Sequence, residues 1–372
     1  MPSRPRFFAN DQPISSRNPT KQLIASLERL VKDYPPASVS PGGGLYYGPI
    51  SIAYLFFTLQ QFYKDFTIED IPMGTWMAVY LKTAEDAMKD YPGPTNLKCG
   101  VSDDIMALIA LSAASAKDPD MARDLCDFAG VVTEPNANNE WLYGRAGFLY
   151  LLRLVRASFQ DDDEVKEMLD DTADEVIDCI LDSPRPFKWH DKAYVGAVHG
   201  TVGIITQIVL TDPTYAKQLE PELLATLSYQ YESGNWPSSV PAGDDKLVQF
   251  CHGAPGVVSS LVSIKHYFPD IEDRLDEYIK TGRAVIKERG LLTKEPGLCH
   301  GISGNALALE EPDFEHFLTY TTASEMKALE NDGMMERAED PSSLYTGEAG
   351  RAWAWAVMDK HLERRFIGYN DI

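Results

Sequence analysis

The sequence predicts an all-α fold, an α/α toroid of seven inner and seven outer helices, and three observations support this prediction. A glycine-centred turn followed by an apolar run occurs seven times along the chain. The segments between these turns carry apolar residues at helical spacing with charged residues between them, which is typical of half-exposed helices. The runs that follow the turns are apolar on nearly all faces, as expected for helices buried between other helices.

The turn is the repeating unit, and its first glycine sets the register of the seven copies. Successive first glycines lie 44 to 56 residues apart, a period of about fifty. Some β-propellers have a similar period, so the content of each repeat has to decide the fold class. The first glycines are Gly48, Gly100, Gly144, Gly200, Gly253, Gly301 and Gly347.

The content of the repeats is helical, and it favours a closed ring over an open solenoid. Outer helices are predicted in four segments that begin at Lys21 (KQLIASLERLVKDY), Glu164 (EVKEMLDDTADEVIDCILDS), Asp273 (DRLDEYIKTGRAVIKERG) and Glu315 (EHFLTYTTASEMKALEND). Inner helices are predicted in runs such as ISIAYLFFTL and IMALIALSAA. A solenoid needs polar terminal repeats, and neither the first run, ISIAYLFF, nor the last, RAWAWAVM, is polar. We therefore expect the last repeat to pack against the first.

The turns also predict where a functional site lies. Each inner helix follows its turn, so all seven N-termini point to one end of the ring and concentrate positive dipole potential there. A second glycine follows three residues after the first in five repeats: Gly147, Gly203, Gly256, Gly304 and Gly350. These glycines either leave amide donors free for an anion or only allow tight packing. In both cases we expect function at the N-terminal end of the inner helices.

Composition excludes several classes of protein. The chain has 372 residues, 44% of them hydrophobic, and a formal net charge of -22, which repels nucleic acid and anionic membrane surfaces. It carries neither a signal-type apolar segment near Met1 nor an apolar run of the roughly 18 residues that a membrane span requires. Five cysteines are few and odd in number, which argues against a disulfide framework. We therefore expect a cytoplasmic protein with reduced thiols.

Two adjacent repeats share a motif that suits a metal. Cys251-His252-Gly253 and Cys299-His300-Gly301 occupy the same place in the fifth and sixth turns. Neighbouring turns should meet in space, and Zn²⁺ accepts Cys and His ligands together. Spacing alone allows a closed Cys₂His₂ site or a Cys₂His site with one open position. The alternative is that the cysteines are buried apolar residues and the histidines only cap helices.

These strings resemble one protein family along nearly the whole chain. WLYGRAGFLYLL, FCHGAPGVV, GLCHGISGNALAL and GNWPSS are similar to the LanC-like family, and most of all to its eukaryotic branch. The resemblance begins at RFFAN near the N-terminus and ends at RFIGYNDI. It implies a single α/α toroid domain over residues 1–372, with residues 1–20 as an N-terminal extension that can contact the ligand site.

The resemblance also implies the identity of the metal ligands and the type of reaction. One zinc ion per chain would be held by Cys251, Cys299 and His300, with His252 as a neighbour rather than a ligand. Bacterial members of the family are cyclases that add a peptide cysteine to dehydroalanine or dehydrobutyrine. Eukaryotic members are associated with glutathione and its addition to such dehydrated residues, so glutathione is the implied co-substrate.

Four further residues match positions that the family uses around the reacting groups. His199, in the fourth turn, matches the proposed acid or base, and Glu140 is the acidic residue ahead of the third turn. Arg6 and Lys294 match positions that bind the carboxylates of glutathione. The basic residue expected shortly before Cys251 has no clear counterpart, since only Lys246 is near.

Three functions therefore compete. The first is a zinc-dependent enzyme that adds glutathione to an activated alkene on a dehydrated peptide or protein, or on a small electrophile. The second is a non-catalytic zinc- and glutathione-binding protein that serves in sensing or as a scaffold. The third is a toroid glycosidase, which would need two carboxylates facing each other across a sugar. No glycine turn supplies such a pair, so we rank the glycosidase last.

Overall fold

The computed structural model describes residues 5–91 and 93–372, and these residues form mostly helices. Two antiparallel two-stranded ribbons accompany the helices: β1 (Thr67–Ile68) with β2 (Ile71–Pro72), and β3 (Ala193–Tyr194) with β4 (Ser239–Val240). The α-helices, in chain order, are α1 (Pro19–Asp33), α2 (Pro49–Phe62), α3 (Met73–Ala87), α4 (Asp104–Ala116), α5 (Pro119–Cys126), α6 (Ala129–Val132), α7 (Arg145–Ser158), α8 (Asp163–Leu181), α9 (Thr201–Thr211), α10 (Ala216–Leu227), α11 (Ala254–Ile264), α12 (Glu272–Arg289), α13 (Ile302–Leu307), α14 (Asp313–Thr319), α15 (Ala323–Asn331) and α16 (Glu348–Lys360).

Seven of these helices form a closed inner ring. Helices α2, α4, α7, α9, α11, α13 and α16 each pack against the next, and α16 returns to α2. An outer helix packs on each inner one: α3 on α2, α5 on α4, α8 on α7, α10 on α9, α12 on α11, α14 on α13 and α1 on α16. The N-terminal helix thus covers the last inner helix. This arrangement confirms the predicted toroid and its closure.

The glycine turns form a second, smaller ring at one end. Backbone hydrogen bonds join six of the seven neighbouring pairs of turns. At the remaining junction, between the fourth and fifth turns, a Cβ on Gly196 would lie 3.0 Å from the carbonyl oxygen of Cys251. The linking bonds run from Leu45 to Val101, Cys99 to Tyr143, Trp141 to Val198, Cys251 to Cys299, Cys299 to Tyr345 and Tyr345 to Tyr46, with N to O distances of 2.8 to 3.3 Å. Side chains of non-neighbouring repeats therefore meet at this end.

The glycines of the turns serve mainly to allow close packing. Gly304 shows this, since a Cβ there would lie 1.8 Å from the carbonyl oxygen of Leu298. Its amide donates to the carbonyl of Gly297 and is therefore not free for an anion. Six of the seven first glycines precede an inner helix directly as its N-cap. Gly100 does not, because the carboxylate of Asp103 caps α4 instead.

One predicted outer helix is divided in two. The sequence predicts one continuous helix from Glu315, but α14 ends at Thr319 and α15 starts at Ala323. The Thr322 hydroxyl accepts from the backbone N–H of Glu325 and caps α15. Threonine hydroxyls compete in this way with helix continuation. Helix α14 is also largely buried rather than half-exposed, with Phe317 and Leu318 inaccessible to solvent.

Residues that follow α16 fill the centre of the ring. The backbone carbonyl of Gly368 accepts from the indole N–H of Trp141, and the hydroxyl of Tyr369 bonds to Ser260. Asp371 accepts hydrogen bonds from the hydroxyls of Tyr54 and Tyr150. The site at the glycine turns therefore rests on a packed aromatic floor.

The N-terminal segment reaches the same end of the molecule from outside. Phe7 pairs with Leu292, and the amide of Phe8 donates to the carbonyl of Leu291. Of the predicted extension over residues 1–20, residues 1–4 lie outside the described residues. In the described part of the chain, no helix is long and apolar enough to cross a membrane.

Candidate metal centre and its surroundings

The two Cys-His-Gly turns bring three metal-binding groups together. The sulfurs of Cys251 and Cys299 and a ring nitrogen of His300 all lie within 4.8 Å of one another. The hydrogen bond from the Cys251 amide to the Cys299 carbonyl holds the two turns in this register. Both cysteines are buried and His300 is half-buried. Two thiolates and one imidazole are a donor set that suits zinc and leaves one coordination position for another ligand.

His252 lies outside this group, although it follows Cys251 directly. Its Nδ1 is buried, and no described residue lies within hydrogen-bond distance of it. Its ring packs 5.5 Å from that of Tyr194 and 5.9 Å from that of His199. Burial lowers the pKa of His252, so a neutral ring is favoured there.

Two polar side chains contact the sulfurs. The Gln249 amide donates to the Cys251 sulfur over 3.0 Å, and the Tyr46 hydroxyl hydrogen-bonds to Cys299. A hydrogen bond from Cys299 holds the pKa of Cys251 well below its ordinary value, whereas burial raises the pKa of Cys299. The positive charge of Lys294 offsets part of this increase in the pKa of Cys299. The site therefore already favours a negative sulfur at Cys251.

Tyr46 and Gln249 were not predicted, and only Tyr46 had a signal in the repeats. Aligning the first glycines places Tyr46 and Tyr345 at the position that Cys251 and Cys299 occupy, two residues earlier. The rings of Tyr46 and Tyr345 stack with centroids 4.9 Å apart. Gln249 lies four residues before Gly253, ahead of the Cys-His-Gly motif that the fifth and sixth turns share, and no other turn has a glutamine at that position that would have indicated its role.

His199 and Glu140 form a hydrogen-bonded pair, and the His199 ring lies 5.9 Å from that of His252, the residue next to Cys251. Nδ1 of His199 lies 2.6 Å from Oε2 of Glu140. The Glu140 carboxylate is 2% exposed and also accepts from the backbone amides of Leu142 and Tyr143. It is therefore a fixed buried acceptor and not a solvated charge at the edge of a turn. The third and fourth turns bring these residues together through the bond from Trp141 to Val198.

An aromatic wall holds the His199 ring. The indole of Trp189 stacks on it with centroids 3.9 Å apart and planes 1° from parallel. Tyr143 and Tyr194 pack against the same ring at 6.1 and 5.8 Å. Trp189 belongs to a tight turn closed by two backbone hydrogen bonds with Lys192. Trp189 was not predicted, since it lies in a connection outside every glycine turn.

Arg6 and Lys294, which lie far apart in the sequence, line one cavity of about 140 Å³. The pairing of residues 5–8 with residues 291–293 brings them together, since the Arg6 carbonyl accepts from the Thr293 amide. Lys246 and Gln249 line the same cavity. Lys246 thus supplies a third cation near Cys251, although it also forms an ion pair with Asp244. Through Gln249 this basic cavity adjoins the sulfur of Cys251.

Comparison with known proteins gives consistent similarities. A family model described as lanthionine synthetase C-like protein matches residues 41–366. "Glutathione S-transferase LANCL1" of Danio rerio is 33% identical over 248 residues, which cover 61% of this chain and 61% of that protein. "LanC-like protein GCL1" of Arabidopsis thaliana is 26% identical over 255 residues, which cover 61% of this chain and 57% of that protein. The chain therefore spans less than two thirds of these relatives' own length.

A solved structure shares the architecture. The protein named nisin cyclase superposes with a TM-score of 0.55 at 14% sequence identity, over 95% of this chain and 98% of that one. At this level of identity the similarity concerns the fold, which is the helical toroid described above.

Proposed function

Since this chain belongs to the lanthionine synthetase C-like family, we propose that it is a zinc-dependent enzyme that adds the thiol of glutathione to dehydroalanine- or dehydrobutyrine-type alkenes. The observation that carries the proposal is the His199–Glu140 pair, whose imidazole lies 5.9 Å from that of His252, the residue next to Cys251 of the Cys251, Cys299 and His300 group. The names of the relatives, a glutathione S-transferase and a cyclase, agree with it. An alternative is a non-catalytic zinc- and glutathione-binding protein, which would have no use for a positioned acid and base.

The ligands in this proposal are Cys251, Cys299 and His300. A zinc ion held by them would supply a Lewis acid that stabilises the thiolate form of a bound thiol. Gln249 donates to one sulfur and Tyr46 bonds to the other, so both ligand side chains are oriented from outside. Such surrounding partners commonly maintain the geometry of metal ligands.

The reaction needs one proton at a defined place. The glutathione sulfur forms a bond to the β-carbon of the alkene, and the π electron pair moves to the α-carbon, which then takes up a proton. Nothing leaves, and no oxidant or reductant is consumed. Because Nδ1 of His199 donates to Glu140, Nε2 is the atom that exchanges protons: it takes up the proton that the glutathione thiol loses, and the resulting imidazolium passes that proton to the α-carbon. The stacked Trp189 ring keeps the imidazole in one plane.

The basic cavity would hold the carboxylates of glutathione. Arg6, Lys246 and Lys294 outnumber Glu336, the one carboxylate on its described lining, and give the cavity positive charge in a chain whose net charge is -22. Charged groups of this kind form strong hydrogen bonds with carboxylates. The cavity adjoins Cys251 through Gln249. A glutathione molecule with its carboxylates in the cavity would therefore have its thiol close to the metal ligands.

Turnover decides between the enzyme and the scaffold. We expect purified protein, incubated with reduced glutathione and a peptide that contains one dehydroalanine, to yield a product whose mass is the sum of the two reactants. Mass spectrometry against a protein-free control measures the acceleration. A rate equal to the control with zinc-loaded protein would favour the non-catalytic alternative.

Glutathione binding can be tested separately by calorimetry. We expect Lys294→Ala to raise the Kd for reduced glutathione about five- to tenfold, because a charge-assisted hydrogen bond is lost. Lys327→Ala is the matched control, since Lys327 is exposed and does not line the cavity. S-methyl glutathione should bind more weakly than glutathione. Equal affinity for the two ligands would contradict coordination by the thiol.

A further inference from the structure

A long groove opens beside the aromatic wall, and the reaction proposed above leaves it unused. It encloses about 1060 Å³ between the loop over residues 136–139 and the connection over residues 183–191. Tyr143 and Trp189 are among its lining residues. The same two rings pack against His199. The groove is therefore connected to the proposed proton donor, His199, through these two rings.

The groove and the basic cavity are connected to the metal site through different residues. Their lining residues do not overlap. The cavity contacts Cys251 through Gln249, whereas the groove is connected to the site through Trp189 and His199. Two reactants that must meet at the site can thus enter by separate routes, the thiol from the cavity and the alkene from the groove.

The size and chemistry of the groove exceed what a single alkene requires. Cavities of roughly 300–1,000 Å³ enclose whole drug-sized ligands, and the reacting part of dehydroalanine is two carbons. Asn136 is an exposed lining residue whose side-chain amide can hydrogen-bond to a peptide backbone, whereas the amide N–H of Asn138 already donates to the Leu97 carbonyl. Leu97, at the rim, is 64% exposed and offers an apolar contact for a side chain. These features suit an extended polypeptide segment.

The groove also has a positive charge that most of the surface lacks. Its lining includes Arg145 and Lys188, which form no ion pair among the described residues. Arg145 is 4% exposed, and its guanidinium donates only to neutral oxygens, those of Val132, Glu134, Asn139 and Ser183. A buried cation without a carboxylate projects its field into the groove. Asp191 is the single carboxylate on the described lining.

We propose that this groove binds the acceptor as an extended peptide segment, with acidic side chains beside the electrophilic residue paired with Lys188 and facing Arg145. This proposal rests on the proposed function for the role of the bound segment. Charge complementarity is its main source of selectivity, so the interaction should weaken as salt rises.

Binding of an unreactive peptide tests the groove independently of catalysis. The probes are fluorescently labelled decapeptides with alanine in place of dehydroalanine, flanked by glutamates in one and by lysines in the other. Anisotropy should show the acidic peptide binding at least about tenfold more tightly at low salt, and most of this difference should vanish near 0.5 M salt. Lys188→Glu should weaken the acidic peptide about five- to tenfold.

A matched variant lies on the same turn. Lys192→Glu makes the same change of charge at an exposed position that does not line the groove, and it should leave binding nearly unchanged. Equal affinity for the acidic and basic peptides, or equal effects of the two lysine variants, would overturn the proposal. If the acidic peptide binds but its dehydroalanine form gives no thioether, the groove stands and the proposed reaction fails. Conversely, turnover of a small alkene that the acidic peptide does not inhibit would refute the groove alone.

Discussion

Cys299→Ala is expected to lower the zinc content of the purified protein from about one ion per chain to near zero, and to abolish thioether formation. Cys251, Cys299 and His300 are the ligand group among the described residues, so the substitution leaves only Cys251 and His300 to bind the metal. Cys251→Ala and His300→Ala should behave in the same way. Elemental analysis of protein prepared without chelators measures the metal, and the glutathione assay measures activity. A protein that is free of zinc, folded and fully active would contradict the proposed centre.

Two controls make this result specific. Cys126→Ala removes a half-buried cysteine far along the chain from the two motifs, and both zinc and activity should be retained. His252→Ala should also retain zinc, because His252 lies outside the group of ligand atoms. Loss of zinc in His252→Ala would instead favour a closed Cys₂His₂ site.

His199→Asn is expected to slow turnover by about 10²–10⁴-fold, the usual contribution of a positioned acid or base. Asparagine keeps a polar side chain but cannot transfer a proton at neutral pH. Glu140 would lose one donor and keep the backbone amides of Leu142 and Tyr143, so its buried carboxylate stays hydrogen-bonded and the fold should persist. Zinc content and the Kd for glutathione should be nearly unchanged, which separates this variant from the ligand variants.

Further variants test whether the effect is specific to His199 and whether the fold is retained. His266→Asn alters an exposed histidine and should leave kcat unchanged. Glu140→Gln should lower kcat with little effect on zinc, because the amide no longer provides a charged acceptor for Nδ1. Thermal melts of each variant show whether the fold is retained. Normal turnover by a folded His199→Asn protein would mean that the histidine is structural and that another group donates the proton.

Much of the fold and the centre of the site could be predicted because their signals are local. A turn of a few residues and the apolar run after it identify each inner helix, and seven copies require a closed ring when no end repeat is polar. Cys251 and Cys299 share one position in adjacent repeats, so their proximity follows from the repeat itself. The local pattern did not predict the break at Thr322. The apolar spacing is continuous there, but the Thr322 hydroxyl caps a new helix and divides the segment in two.

Only the tertiary structure decided which distant groups meet. Glu140 and His199 are 59 residues apart, and their hydrogen bond depends on the ring of turns rather than on either local sequence. Trp189 lies in a connecting loop with no repeat position, yet packing places it flat against His199. The basic cavity needs the strand-like pairing of residues 5–8 with residues 291–293. Helical periodicity specifies which face of a segment is buried. Which residues from distant repeats meet in the site depends on how whole repeats pack against one another. No single segment of the sequence determines that packing.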